Sequence, residues 1–357
     1  MKTCKGCGID LQTNDPNLPG YVPENVYEKA EVCQRCFRLT HYADYTASPL
    51  SEEDFMDAAT KALDGADTVF QVFDIIDFES SLNPTFEKLL FRKNTVAVVT
   101  KYDLLPEIVS EKDVEEWVKK RVPYADAVAV VSGKKGWGID KLKDMRGRVT
   151  AVVGTTNAGK STLIQRLVQG AKPTVSPSLG TTLGNLTFED EKGVIVDTPG
   201  LKPNGRLLEM LCPVCSASLV PNKRLNSKLF QLKPGQGLAL GNLFYLSLKS
   251  ENPVVVMAYV PESVSISRVN RDRAESFLEE AGAPDAIPCA ECKPKIVFEK
   301  RDLRVGDEDL VVPGLGWVSF RHTPASFEVI CPKGLGLPRR SPLVRRGKHT
   351  TTGKRIR

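Results

Sequence analysis

Residues 1–50 show little regular periodicity, but from Ser51 to about residue 200 the apolar positions follow two alternating rhythms. A polar S-x-x-D start at Ser51 leads into Phe55, Met56, Ala59 and Leu63, spaced to share one face of a helix. Short runs of Val, Ile, Ala and Phe then predict buried strands at TVFQVF (68–73), TVAVVT (95–100), DAVAVVS (126–132) and VTAVVG (149–154). Between them, NPTFEKLLF (83–91), the stretch capped by Ser110 and Asp113 that carries Val114, Trp117 and Val118, and GIDKLKD predict helices. A further helix is expected after Lys160, and LGNLTF and GVIVDTPG add two strands. Strands apolar on both faces and separated by helices predict an α/β domain built on a mostly parallel sheet covered on both sides.

The rhythm changes after about residue 205. Short β-like runs broken by Gly and Pro take over, in KLFQLKPGQGLALGNLFYLSL, PVVVMAYV, KIVFEK and LVVPGLGWVSF, with one helix expected at RVNRDRAESFLEEAGA. The organisation expected is a cysteine-bearing module over 1–50, an α/β domain over 51–205, a mostly β domain over 206–330 and a basic tail over 331–357.

Charge and cysteines sharpen this division. The net charge is +5, yet no acidic residue follows Glu328, while Lys333, Arg339, Arg340, Arg345, Arg346, Lys348, Lys354, Arg355 and Arg357 do. Without those nine the remainder stands at −4, so the positive excess lies in the tail and suits a polyanion such as RNA. A solvated end is the plainer reading. No apolar run reaches the ~18–20 residues of a membrane span, and MKTCKGCG has no apolar signal region, so a soluble, non-secreted protein is expected.

Eight of the nine cysteines form four C-x-x-C pairs, a spacing typical of metal ligands and not of disulfide frameworks. Cys4, Cys7, Cys33 and Cys36, with 25 residues between the pairs, suit a closed structural zinc site. Cys212, Cys215, Cys289 and Cys292, with 73 residues between the pairs, are read either as a second zinc site or as inert pairs. Cys331 is left as a small buried residue, and His41, His322 and His349 are isolated.

The chemistry concentrates in VVGTTNAGKSTL. Gly154, Thr155, Thr156, Asn157, Ala158, Gly159, Lys160, Ser161 and Thr162 make a phosphate-binding loop between a buried strand and a helix, where backbone N–H groups and the helix N-terminus face an anion. Lys160 is placed to reach the β- and γ-phosphates and Ser161 to bind Mg²⁺. Asp197 and Gly200 of DTPG suit water-mediated Mg²⁺ binding and γ-phosphate sensing, and Thr182 of Gly180-Thr181-Thr182 is the candidate switch residue on Mg²⁺. Thr100, Lys101 and Asp103 of T-K-Y-D, with Ser132 and Gly133 of S-G-K after the next strand, suit guanine: a carboxylate accepts both N1–H and N2–H, which adenine does not offer. GTP, GDP and Mg²⁺ are therefore the expected ligands.

The base-reading motifs precede the phosphate loop, the reverse of the usual order, so the domain reads as circularly permuted. With CKGCG…CQRCFRL before it and GLGWV after it, the chain resembles the YqeH-type circularly permuted GTPases over essentially its whole length. The resemblance implies GTP hydrolysis and a role in assembling the small ribosomal subunit, with ribosomal RNA or a subunit precursor as partner. It also implies a cytoplasmic place in a bacterium, or chloroplast stroma or mitochondrial matrix in a eukaryote. Asn157 is similar to the residue that K⁺-stimulated GTPases use to hold the cation; otherwise it is a loop residue that tolerates unusual dihedrals.

Two positions depart from the common pattern. Thr100 replaces the usual Asn, which is expected to loosen the tie between base and phosphate loops. Leu201 stands where Ras-like enzymes carry a water-orienting Gln, so hydrolysis is expected to be slow or to use another device. Two other classes compete with a GTPase switch: a GTP-binding scaffold with little turnover, and an RNA-binding module driven by zinc and tail.

Overall fold

The computed structural model describes residues 2–4, 10–15, 20–34, 52–168, 185–279, 287–321 and 324–344. Two compact units emerge, one from Met1–Tyr102 and Val118–Pro203, the other from Asp103–Trp117 and Asn204–Arg357. The α/β domain expected as the single stretch 51–205 thus gives up residues 103–117 to the β-rich unit.

In the first unit a six-stranded sheet has the order β3 (Ala127–Val130), β2 (Thr95–Thr100), β1 (Thr68–Asp74), β4 (Val149–Gly154), β6 (Gly193–Asp197) and β5 (Leu186–Asp190). Five strands run parallel, and β1, β2 and β4 are buried or nearly so along their length, as their apolar runs predict. β5 is the exception: it pairs antiparallel with β6, because only Glu191 and Lys192 join the two and so short a link cannot cross over. Arg146 fastens this hairpin through a bidentate pair with Asp190 (2.7 and 2.9 Å), which holds the Asp190 carboxyl below the usual carboxylate range.

Helix α1 (Glu52–Asp64) buries Phe55, Ala59 and Leu63 as its spacing predicts. The short helices α2 (Phe78–Ser81) and α3 (Pro84–Leu90) lie between β1 and β2. α4 (Glu111–Arg121) opens on the expected capping pair: Ser110 N–H donates to Asp113 Oδ2 (3.0 Å) and Asp113 N–H to Ser110 Oγ (3.2 Å). α5 (Ile139–Asp144) precedes β4, and α6 (Lys160–Leu167) follows the phosphate loop.

In the second unit, α7 (Leu207–Met210) and α8 (Pro213–Leu219) lead into two five-stranded antiparallel sheets. One has the order β16 (Arg339–Arg340), β13 (Asp309–Val312), β14 (Gly316–Phe320), β10 (Val254–Val260), β7 (Asn226–Leu232). The other runs β11 (Ile266–Asn270), β8 (Gln236–Leu240), β9 (Phe244–Leu248), β15 (Ala325–Pro332), β12 (Phe298–Val305). Their inward residues, among them Leu238, Leu246, Val256, Leu310, Val318, Phe320 and Phe327, share one core. Of the helix expected at RVNRDRAESFLEEAGA, α9 (Ala274–Glu279) forms, Arg268-Val269-Asn270 extends instead as part of β11, and residues 280–283 lie outside the described residues.

The tail expected over 331–357 is partly folded. Strand β15 runs through the 330/331 division, and Arg340 is buried between the rings of Trp117 (5.3 Å) and Trp317 (4.7 Å), with Nε 3.5 Å from Asp309 Oδ2. A buried carboxylate and two aromatic faces offset the desolvation of this guanidinium, so a basic residue here belongs to the core. The expected tail's residues 345–357 lie outside the described residues.

Candidate nucleotide-binding site

The phosphate loop joins β4 to α6 as its motif requires. Gly159 sits in the left-handed region (φ 94°) at the N-cap of α6, where a side chain would strain the backbone. Lys160 is buried, and its ammonium donates to Gly154 O (3.1 Å) and Thr155 O (3.0 Å), folding back over the loop. Burial pulls its pKa down to about 8 against the opposing charge of Asp197. Thr155 is buried, and its hydroxyl lies 3.3 Å from Ser81 Oγ on α2. Asn157 is exposed at φ 63°, while Ala158 is buried. Ser161 is half-buried and Thr162 exposed on the first turn of α6.

The DTPG segment lies directly against this loop. Asp197 ends β6 and is buried; the Thr198 hydroxyl donates to Val152 O (2.9 Å) and holds the segment on β4. Leu201 N–H donates to Gly154 O (3.1 Å) and Thr156 N–H to Leu201 O (2.8 Å), a short parallel bridge. The Leu201 side chain is buried in the core beneath, so it offers nothing to a water at the phosphates. At Gly200 an added Cβ would lie 2.9 Å from Lys160 Nζ and 3.0 Å from Thr156 N, so a side chain here would press on the lysine and on the loop backbone.

The base-reading side is tied to the phosphate side, contrary to the expectation raised by Thr100. The Thr100 hydroxyl lies 2.6 Å from Ala158 O and 3.1 Å from Phe73 O, and donates to the nearer. A threonine at the end of β2 thus makes the bridge that an asparagine was expected to supply. Lys101 adopts φ 61°, unusual for a lysine, and Asp74 pins its ammonium at 2.6 Å, which leaves its stem as a surface beside the base loop. Asp103 follows on the short 3₁₀ turn Tyr102–Leu104, where the chain passes into the second unit.

The S-G-K loop is equally built. Ser132 is buried, donates its N–H to Trp137 O (3.0 Å) and accepts Lys135 N–H on Oγ (3.0 Å). Trp137 is 48% exposed and meets the Tyr102 ring edge-on at 6.3 Å. From α6, Arg166 donates to Gly133 O (2.8 Å) and Lys134 O (3.1 Å), locking the S-G-K loop to the helix that follows the phosphate loop. Sequence reasoning passed over Arg166, Asp74 and Ser81. No motif marks them; only their placement beside Gly133, Lys101 and Thr155 reveals their part.

Of the two cysteine sets, the first is described only by Cys4 and Cys33. Both are buried in a small cluster with Leu11 and Val22, and Cys33 N–H donates to Cys4 Sγ at 3.0 Å. Cys7 and Cys36 lie outside the described residues, as does Thr182. The second set comes together in the β-rich unit, with all four sulfurs within 4.8 Å of one another.

Residues 149–226 match a family model described as a 50S ribosome-binding GTPase. The match begins at the first residue of β4 and so covers the phosphate half, downstream of the base-reading half. Over 96% of its length the chain is 28% identical to YqeH of Bacillus subtilis, covering 99% of that protein. It is 24% identical to the NO-associated protein 1, chloroplastic/mitochondrial, of Arabidopsis thaliana, over 90% of this chain and 70% of that one. Among solved structures, YjeQ from Thermotoga maritima aligns over 38% of this chain and 48% of its own, at 26% identity and a TM-score of 0.28. The likeness to YqeH-type proteins extends over nearly the whole chain, and its nucleotide domain is that of a GTPase.

Proposed function

We propose that this circularly permuted GTPase is a switch that binds ribosomal RNA or a ribosomal precursor particle and assists small-subunit assembly. The observation that carries the reading is the contact of Gly200 and Leu201 with the phosphate loop. A γ-phosphate held by Lys160 acts on Gly200 at once, and the chain beyond Gly200 runs without interruption into the β-rich unit. Mg²⁺ would be held by Ser161 and, through water, Asp197, with Thr182 joining when GTP is bound. Zn²⁺ would be held by Cys4, Cys7, Cys33 and Cys36, a closed set whose role is folding and docking. The compartment follows the source: bacterial cytoplasm, chloroplast stroma or mitochondrial matrix.

The RNA-facing arm is narrower than the tail read from sequence. Arg339 and Arg340 are engaged with Glu308 and Asp309, and Lys333 is held on the β-rich unit by its N–H to Val297 O (2.7 Å), which leaves Arg345, Arg346, Lys348, Lys354, Arg355 and Arg357 for phosphates. Six such contacts give a log–log salt slope of about −4 on single-stranded RNA and about −5 on duplex. The test is co-sedimentation with purified small and large ribosomal subunits, with a GTP analogue or GDP, for the full chain and for a chain ending at Val344. Retention on small subunits that depends on the GTP analogue, and a flattened salt slope for the shortened chain, are expected. Equal retention with both nucleotides removes the switch, preference for large subunits removes the assignment to the small one, and parallel slopes remove the arm.

Asn157 supports a K⁺ site: its side chain is exposed at the rim of the phosphate loop, on a backbone turned into the left-handed region. Turnover is expected to be faster in KCl than in NaCl at equal ionic strength. Identical rates in the two salts, or stimulation that survives in Asn157→Ala, sink this assignment. The buried Leu201 favours a second reading, a GTP-binding scaffold that barely hydrolyses. Turnover that stays negligible when subunits are added would select it.

A further inference from the structure

The second cysteine set lies apart from the nucleotide motifs, within the β-rich unit. Cys212 is the N-cap of α8 and Cys215 stands on its first turn; Cys289 and Cys292 flank a tight turn in which Cys292 N–H and Lys293 N–H both donate to Cys289 O (3.1 and 3.0 Å). The four sulfurs converge although 73 residues separate the pairs. Cys212 Sγ and Cys289 Sγ are 3.8 Å apart. A metal with four sulfurs at ~2.3 Å in a tetrahedron sets its sulfurs about 3.8 Å apart along each edge. A disulfide needs about 2.05 Å, so this pair is not bonded.

Two backbone amides serve the sulfurs: Cys212 N–H donates to Cys292 Sγ (3.0 Å) and Cys289 N–H to Cys215 Sγ (3.3 Å). Each pair thus donates to a sulfur of the other, the hydrogen-bonding expected around thiolate ligands. Cys215 and Cys292 are buried and Cys212 and Cys289 half-buried, so the centre is shielded without being sealed off.

We infer that Cys212, Cys215, Cys289 and Cys292 form a second, closed zinc site that staples the α7–α8 segment to the turn preceding β12. Four thiolates leave no position for substrate, so the site is structural. The spread of the sulfurs suits one ion; a multi-iron cluster interposed between them would hold them farther apart. The staple has a physical task. α7 and α8 span four and seven residues, too short to persist as isolated helices, and Leu207 and Leu219 bury them only in part in the core of the two sheets. Leu207 N–H to Pro313 O (3.0 Å) anchors one end of this segment, and the metal anchors the other. The chain therefore becomes fixed to the β-rich unit within a dozen residues of Gly200.

The full-length protein tests this without variants. Metal content should reach two zinc ions per chain, the count for two four-cysteine sites. Alkylation of the native protein, mapped residue by residue by mass spectrometry, should label Cys212 and Cys289 only after a strong chelator has removed the metal. A Cys4→Ser/Cys33→Ser chain should keep one zinc; substituted with cobalt, it should show the intense sulfur-to-metal bands of a tetrahedral thiolate site. No zinc in the wild type, none retained by a folded Cys4→Ser/Cys33→Ser chain, labelling of Cys212 and Cys289 at the same rate with and without chelator, or iron in place of zinc would overturn the assignment. If the double variant fails to fold, the wild-type metal count and chelator-dependent labelling still decide.

Discussion

Replacing Lys160 with alanine is expected to lower single-turnover GTP hydrolysis by at least about 10²–10³-fold, the scale for removing one preorganised donor from a developing anion. The site suggests a larger loss, because this ammonium is buried, and in a low-dielectric pocket a charge acts on phosphate with little screening. Alanine suits the first turn of α6, and the strands on either side do not depend on the lysine, so the circular dichroism spectrum should persist. The carbonyls of Gly154 and Thr155 lose their donor, which will loosen the loop as well. A variant that folds and turns over within tenfold of the wild type would remove Lys160 from phosphate chemistry.

Asp103→Asn should change which base is accepted. In the proposed role the carboxylate receives two guanine N–H donors in charge-assisted hydrogen bonds worth about 1.5–3 kcal/mol each. The amide directs a donor at a donor, so GTP affinity should fall by about 10²-fold or more. Xanthine presents an oxygen where guanine has its amino group, and the variant should bind xanthosine nucleotides more tightly than GTP. Titration with both nucleotides decides; unchanged GTP affinity would take Asp103 out of the pocket. Thr100 and Arg166 hold the loops on either side of it to the phosphate loop and helix, so the effect should stay confined to base choice.

The parallel sheet was legible because TVFQVF, TVAVVT and VTAVVG are apolar on both faces, a signature that only a sheet covered on both sides explains. The nucleotide motifs were legible because their chemistry is local: a glycine-bearing turn, a lysine and a hydroxyl in consecutive positions. What escaped depends on neighbours distant in sequence. Thr100 looked like a loss until its hydroxyl was found at Ala158 O, 58 residues away. Arg340 looked like tail, because composition does not distinguish a guanidinium in solvent from one between Trp117 and Trp317 beside a buried carboxylate. α7 and α8 carry too few turns to leave a periodicity, and β11 hid within a charged run because an edge strand needs few apolar residues. The second cysteine set was legible as spacing; that its pairs meet required the fold.

The chain contains three tryptophans, and their surroundings differ sharply: Trp117 and Trp317 are sealed in the β-rich unit against Arg340, whereas nearly half of Trp137 faces solvent on the loop that Ser132 begins. Two indoles should therefore emit toward the blue and resist iodide or acrylamide, and one should emit toward the red and be readily quenched. The long-wavelength edge of the intrinsic fluorescence should thus belong to the S-G-K loop, the loop proposed to read guanine. Occupancy of the base pocket becomes an optical signal of the native protein, readable with unmodified nucleotide in a stopped-flow mixer.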